Sequence, residues 1–456
     1  MKRVSLPLLV RLNRGATDLE DPEGGNGPMT RLMKTTIALA LMFVCFVFGS
    51  SIGVAQDEEI AIGNTFGLGA RTMGMGGAFL AVADDFTTLY WNPAGLAQIR
   101  KFELFGSLSH SELDSETEFT RGRAAEADNS KTRPNSIGLV YPLYANRGGF
   151  AFALGYNRPQ NFDSEVAIQG LDPSSGSVFS GFDVDETTSN NGGMGIWSFG
   201  MGVFISKNIL LGGSIDFWQG SSFNELNSAA EDINNIDPEL ASFAFHDTVD
   251  RDYSGLSGRV GVLAFAGENV TLGGTITLPA DLEVHEVWEQ QTIVQFDDGE
   301  EDMESDAGSI LYDIERPFEF GGGVAVKFLE KRLTLAGDIQ FTDWTQTEYD
   351  PLPAEDSQNN FSRYYDSTMQ VRLGAEYRIP RIEASVRVGY FRDPIPFQDR
   401  DIDNDRDFLT LGVGKIFDQI IKIDVAFMRG SWEQSGNSLS ESQTSNRVFV
   451  SAGYRY

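Results

Sequence analysis

The feature that most constrains this chain is a polar–apolar alternation with a period of two, held over stretches of about ten residues and repeated along its body. Leu333, Leu335, Gly337, Ile339 and Phe341 share one face, and Thr334, Ala336, Asp338, Gln340 and Thr342 the other. Val371, Leu373, Ala375 and Tyr377 alternate in the same way with Arg372, Gly374, Glu376 and Arg378. Ile421, Ile423, Val425 and Phe427 do so with Lys422, Asp424, Ala426 and Met428. Period two is the signature of a β-strand, and about ten residues is the length a tilted strand needs to cross a hydrocarbon layer. A helical crossing needs about 18 apolar residues or more. Only Ile37–Phe48 comes near that, and it stands at the N-terminus. An apolar-out, polar-in sheet in a membrane must close on itself, because an open edge leaves backbone groups unpaired in hydrocarbon.

The connections separate such a barrel from a soluble sandwich. Fourteen strands are expected, starting near Lys101, Pro134, Gly148, Gly193, Asn208, Asp252, Asn269, Asp313, Lys331, Ser367, Ile382, Arg406, Ile420 and Asn446. Six connections are short, around Ala145–Arg147, Ser206–Lys207, Ala266–Glu268, Phe328–Glu330, Ile379–Arg381 and Phe417–Gln419. Seven are long: 113–133, 159–192, 221–251, 281–312, 345–366, 394–405 and 432–445. Short turns at one end and long loops at the other are the outer-membrane arrangement. The even count puts both termini on the short-turn, periplasmic side. The expected fold is therefore all-β: a 14-stranded antiparallel transmembrane barrel at residues 101–456. The last strand ends Val448-Phe449-Val450-Ser451-Ala452-Gly453-Tyr454-Arg455-Tyr456, the kind of aromatic terminus that the barrel-assembly machinery reads. Tyr454 and Tyr456 suit an interfacial girdle.

Composition agrees. The chain carries 49 Gly, 33 Phe, 13 Tyr and 6 Trp, and its formal net charge of −31 excludes a nucleic-acid backbone as partner. Arg31 and Lys34, the apolar run Ile37–Phe48 and the small residues Gly53-Val54-Ala55 compose a signal peptide over 29–55, with Gln56 the expected mature N-terminus. Residues 1–28, with Asp18, Glu20, Asp21 and Glu23, do not fit a leader and read as sequence upstream of the true start at Met29 or Met33. Removing residues 1–55 takes away 6 Lys/Arg and 4 Asp/Glu, leaving 29 against 62, a charge of −33. Cys45 is the only cysteine and lies in the leader, where Phe43 and Val44 spoil a lipidation motif. Disulfide and thiol chemistry are thereby excluded from the exported chain.

Residues 56–100 are not strand-like. Gly69-Ala70-Arg71-Thr72-Met73-Gly74-Met75-Gly76-Gly77-Ala78-Phe79-Leu80-Ala81-Val82-Ala83-Asp84-Asp85 is rich in glycine, which lets backbone approach backbone. Asp84-Asp85 suits a short helix start, and Asn92-Pro93 a turn. A compact, partly helical segment before a barrel suits a plug in its lumen. This block resembles the N-terminal hatch of the FadL/TodX family of outer-membrane transporters for fatty acids and other hydrocarbons. The matching stretches are Met75–Phe79, Ala81–Asp85 and Asn92–Leu96. Pro317-Phe318-Glu319-Phe320-Gly321-Gly322-Gly323, Thr342-Asp343-Trp344 and Val386-Arg387-Val388-Gly389-Tyr390 are similar too. The same hatch pattern occurs in PorV-like proteins, which serve secretion.

The resemblance implies passive uptake: a hydrophobic molecule caught outside, held in an apolar pocket, and released sideways through the wall as the hatch rearranges. It implies outer-membrane lipid, lipopolysaccharide, the barrel-assembly machinery and a hydrophobic small molecule as partners. Candidate substrate-contacting hatch residues are Phe79, Phe86, Tyr90 and Trp91; their alternative role is packing the plug. Asn92, Pro93 and Ala94 read as a structural turn. The family's wall gap lies at the third strand, here with Gly155 as the point where it would kink. No cofactor, metal or catalytic residue is expected. His110, His246 and His285 stand at strand ends or in loops, and no GxSxG, P-loop or HExxH occurs. Asp281 to Asp306 holds eleven acidic residues, and Asp399, Asp401, Asp403, Asp405 and Asp407 alternate. Both read as solvated loops rather than Ca²⁺ sites. A PorV-like secretion accessory is the competing function, and a general porin the third.

Overall fold

Residues 67–119, 123–143, 148–172, 179–352, 361–396, 405–435 and 439–456 are described in this computed structural model. The leader, the start of the hatch, Cys45, Asp399, Asp401 and Asp403 lie outside them. Eighteen strand segments run through the described residues. They are β1 Glu103–Phe119, β2 Ala124–Leu143, β3 Phe150–Asn157, β4 Ser164–Leu171, β5 Asp183–Phe204 and β6 Ile209–Glu231. β7 Leu240–Ala266, β8 Val270–Thr277, β9 Ala280–Phe296, β10 Glu301–Arg316, β11 Glu319–Phe328 and β12 Leu333–Asp343 follow. β13 Glu348–Asp350, β14 Ser367–Ile379, β15 Ala384–Asp393, β16 Arg406–Phe417, β17 Ile421–Ser435 and β18 Leu439–Arg455 complete them.

Fourteen of these close an antiparallel barrel: β1, β2, β3, β5, β6, β7, β8, β11, β12, β14, β15, β16, β17 and β18. The seam is the β1–β18 ladder, paired from Glu103↔Arg455 to Phe119↔Leu439. The other segments are continuations. β9 prolongs β8 past Leu278-Pro279, and β10 enters β11 through Pro317-Phe318. Proline has no N–H to give a ladder, so the two neighbouring staves break at the same height. The pattern runs apolar-out, as expected. On β16, Leu409, Leu411 and Val413 face outward and exposed, while Phe408, Thr410 and Gly412 are buried inside.

The long connections differ from expectation. Most of 113–133, 221–251 and 281–312 is strand, with pairs such as Asp114↔Asp128, Asn227↔His246 and Asp306↔Gln290. The second strand thus begins at Ala124 rather than Pro134, and the sixth barrel strand at Leu240 rather than Asp252. Apolar alternation marks where hydrocarbon is crossed, but hydrogen-bonded pairing needs no apolar side chain and continues beyond it. The acidic stretch Asp281–Asp306 is accordingly carried mainly by the β9–β10 hairpin. His110, His246 and His285 also sit inside strands β1, β7 and β9.

An outward side chain near mid-strand distinguishes a lipid-facing wall from a water-facing one. Leu411→Arg is expected to lower the folding stability of the barrel in bilayers by about 2–4 kcal/mol. Equilibrium refolding into vesicles measures it; a loss near zero contradicts the lipid-facing assignment.

Candidate functional site

The hatch fills the lumen at the short-turn end. It is built from two single helical turns, α1 Ala70–Met73 and α2 Thr88–Trp91, and a 3₁₀ segment Pro93–Gln98. Asn92 caps that segment: its side chain accepts from the N–H of Ala94, and Pro93 takes the first position, where an N–H is dispensable. The Asn92 amide also donates to Leu80 O at 2.8 Å and to Val262 O on β7 at 3.1 Å. One residue thus ends a turn, holds the preceding loop and ties both to the wall.

The wall meets the hatch with glycines. A methyl group on Gly212, Gly273, Gly374 or Gly389 would overlap hatch backbone at Pro93, Leu80, Met75 or Gly76. One on Gly261 would overlap the Asn92 side chain. Hydrogen bonds cross the same boundary. Asp338 Oδ2 on β12 accepts the N–H of Phe79 at 2.6 Å and of Leu80 at 2.8 Å. Ala70 N donates to Ser451 Oγ at 2.8 Å, Gly69 N to Asn135 Oδ1 at 3.0 Å, and Gly76 N to Thr410 Oγ1 at 3.1 Å.

Beneath this lies a buried charge network. Arg71 of α1 bonds Asp84, Asp85 and, at 3.0 Å, Glu376 of β14. Glu376 takes Arg387 of β15 at 2.8 Å, and Lys422 of β17 joins Asp85 at 3.5 Å and Asp424 at 3.2 Å. Burial by itself pushes the Asp85 carboxyl up; Lys422 and Arg71 outweigh it and hold it below the usual carboxylate range. The hatch is therefore pinned by ionised groups at neutral pH.

The sequence-derived residues distribute as follows. Phe79 and Trp91 are buried where the hatch packs on β11, β12 and β15–β18, and the Trp91 indole donates to Leu68 O at 3.3 Å. Phe86 is fully buried against β1–β3, stacked on Phe105 with ring centroids 5.1 Å apart. Gly138 and Gly155 leave room for the Phe86 ring. Pro93 and Ala94 are buried in the wall contact. Tyr90 alone among the four aromatics packs also on the apolar lining beyond the hatch, with the Arg259 guanidinium 4.4 Å from its ring centre.

That lining consists of Phe162, Met194, Ile196, Trp218, Tyr253, Leu282, Val284, Tyr312 and Ile314 with their neighbours, on the long-hairpin side of the hatch. Phe162 comes from a break in the wall. Gly155 stays in the ladder, paired with Gly138 and Ser198. The ladder to β2 ends after Arg158, whose N–H still donates to Asn135 O at 2.8 Å; residues 159–163 stay on β5 through Gln160 N to Met194 O at 3.4 Å and Phe162 N to Gly192 O at 3.1 Å, and β4 then pairs only with β5. Arg133 of β2 and Asp163 bridge the resulting gap at 2.7 Å. Asp163 Oδ1 also accepts Gly192 N of β5 at 3.1 Å.

A fourteen-stave barrel with an N-terminal plug is a specific architecture, and the family profile described as "Outer membrane protein transport protein (OMPP1/FadL/TodX)" matches residues 47–453. The chain belongs to the FadL/TodX family. Solved structures share its fold. The Pseudomonas putida toluene transporter TodX aligns with TM-score 0.60 at 17% identity, over 86% of this chain and 99% of TodX. A Pseudomonas aeruginosa FadL homologue aligns with TM-score 0.57 at 16% identity, over 86% and 99%. The Ralstonia pickettii toluene transporter TbuX gives 0.54 and 16%, again over 86% and 99%. No match was found among curated proteins. The protein is thus an outer-membrane β-barrel of a family of hydrophobic-compound channels.

The glycine fit generates a direct expectation for this FadL/TodX member. Gly389→Val, which drives a side chain into Gly76, is expected to leave a heat-modifiable folded barrel whose hatch becomes cleavable by protease. A folded variant with a fully protected hatch contradicts it.

Proposed function

We propose that this protein takes hydrophobic compounds, long-chain fatty acids or other hydrocarbons, from the long-hairpin side and releases them sideways through the gap beside residues 159–163. The observation that carries the reading is that Phe162 belongs both to the apolar cluster and to the segment after β3 where the ladder to β2 ends. The long hairpins face outward and the short turns and both termini the periplasm. Lipopolysaccharide and lipid surround the outward belt, and the barrel-assembly machinery inserts the chain. Transfer needs no energy source. Each buried CH₂ gains about 0.8 kcal/mol, so an apolar lining draws the molecule from water and the bilayer accepts it at the exit. Tyr90 is the hatch residue placed to touch it; Phe79, Phe86 and Trp91 serve packing. The rearrangement implied by the family resemblance is not required, because the exit lies above the docked hatch. A PorV-like secretion role leaves the apolar lining and the break without a purpose.

Closing the gap tests the path. With Arg133→Cys and Asp163→Cys joined by a reducible bifunctional thiol reagent, uptake of labelled long-chain fatty acid or toluene by cells is expected to fall to the level of cells without the protein, as the bridge blocks the single route. Reduction should restore it. Unchanged uptake in fully bridged protein overturns lateral exit.

A further inference from the structure

At the last ladder position before the break, β3 turns an asparagine inward. Asn157 is fully buried, and neither its Oδ1 nor its Nδ2 has a hydrogen-bond partner. Its cross-strand neighbour on β2 is Ser136, also buried and with its Oγ unpartnered. On β5 it faces Ile196 of the apolar lining. The arrangement has a structural cause: a bulge in β2 skips Asn135, so Asn135 and Ser136 both point inward. Asn135 is occupied by the hatch through Gly69 N. Ser136 and Asn157 are left facing the exit.

A buried amide left without a partner costs about 1–3 kcal/mol, so such a pair is expected to meet hydrogen-bonding groups when the site is in use. The amide supplies one acceptor and two donors, and the hydroxyl supplies both kinds. A hydroxyl head completes this set, giving a proton to Asn157 Oδ1 and accepting one from Nδ2 or Ser136. A bare hydrocarbon leaves every group unmet. A carboxylate brings no donor for Oδ1 and adds negative charge to a wall that already buries Asp216 across from Ser198. Asp163 holds Arg133, but the neighbouring Arg158 spends Nη2 on Gly192 O and keeps a buried Nε without a partner, so a carboxylate is the competing head group that the uptake comparison must separate.

We propose that Asn157 and Ser136 form a polar subsite at the lateral exit, specific for the uncharged hydroxyl of an otherwise apolar molecule, a fatty alcohol or alkylphenol. This rests on the lateral-exit reading and names the substrate class within it. Cells making the full-length protein, Asn157→Leu or Ser136→Ala are given labelled 1-dodecanol, dodecane and dodecanoate. The wild type is expected to take up dodecanol about five- to tenfold faster than dodecane, the worth of one or two net hydrogen bonds. Asn157→Leu, nearly isosteric, should remove that preference, read as the dodecanol-to-dodecane ratio; Ser136→Ala should reduce it and stands in if the leucine variant fails to assemble. An unchanged dodecanol-to-dodecane ratio in the variants overturns the subsite with transport intact. Preference for dodecanoate, lost in the variants, overturns the hydroxyl assignment. No uptake of any of the three by surface-located wild type overturns the transport reading and the subsite with it.

Discussion

The structure depends on a close fit between two backbones. Closing fourteen strands pairs the backbone around the ring, apart from the β2 side of the segment after β3, but leaves a lumen wide enough to need filling. Here the filling is the hatch, pressed so near the wall that Gly212, Gly273, Gly374 and Gly389 have no space for a methyl group. Side-chain packing would have left the plug a layer further in. Glycine on both surfaces instead brings carbonyls and N–H groups within reach of wall residues such as Asp338 and Ser451.

The same closeness decides where charge resides. The chain is strongly acidic, yet the base of the hatch holds a balanced set: Arg71, Arg378, Arg387 and Lys422 interlock with Asp84, Asp85, Glu376 and Asp424. Higher in the lumen, arginines lie on aromatic faces, Arg372 5.2 Å from Trp91 and Arg316 4.8 Å from Trp218. Such contacts fix the rings that stand between the hatch and the apolar cluster. The acidic excess lies on the long hairpins, where water solvates it.

The barrel was legible in the sequence because lipid imposes a strict period and the connections alternate in length; strand number and closure followed from those two signals. The extent of β6, β7, β9 and β10 was not, since above the membrane nothing in residue chemistry separates a paired hairpin from a loop. The hatch was readable from its own glycines and from Asn92-Pro93. Its counterpart on the wall was missed, although a signal exists: Gly212, Gly261 and Gly273 occupy inward positions of β6, β7 and β8, and Gly374 and Gly389 those of β14 and β15. Gly155 drew attention as a kink because it is a glycine in a strand, but its purpose is to admit the Phe86 ring. The ladder to β2 ends just after Arg158, at Pro159, which has no N–H to give. Asp338 and Asn157 carried no local signal; only the register shows what they face.

On the proposed route the docked hatch is a fixed floor and transport passes above it. The direct measurement is uptake of labelled fatty acid or toluene by cells carrying Ala70→Cys with Ser451→Cys, compared oxidised and reduced, with bridge formation followed on gels. Uptake should be equal in the two states, because the substrate never passes the hatch. Uptake abolished by the disulfide and recovered on reduction would contradict the fixed floor and make hatch movement the gate.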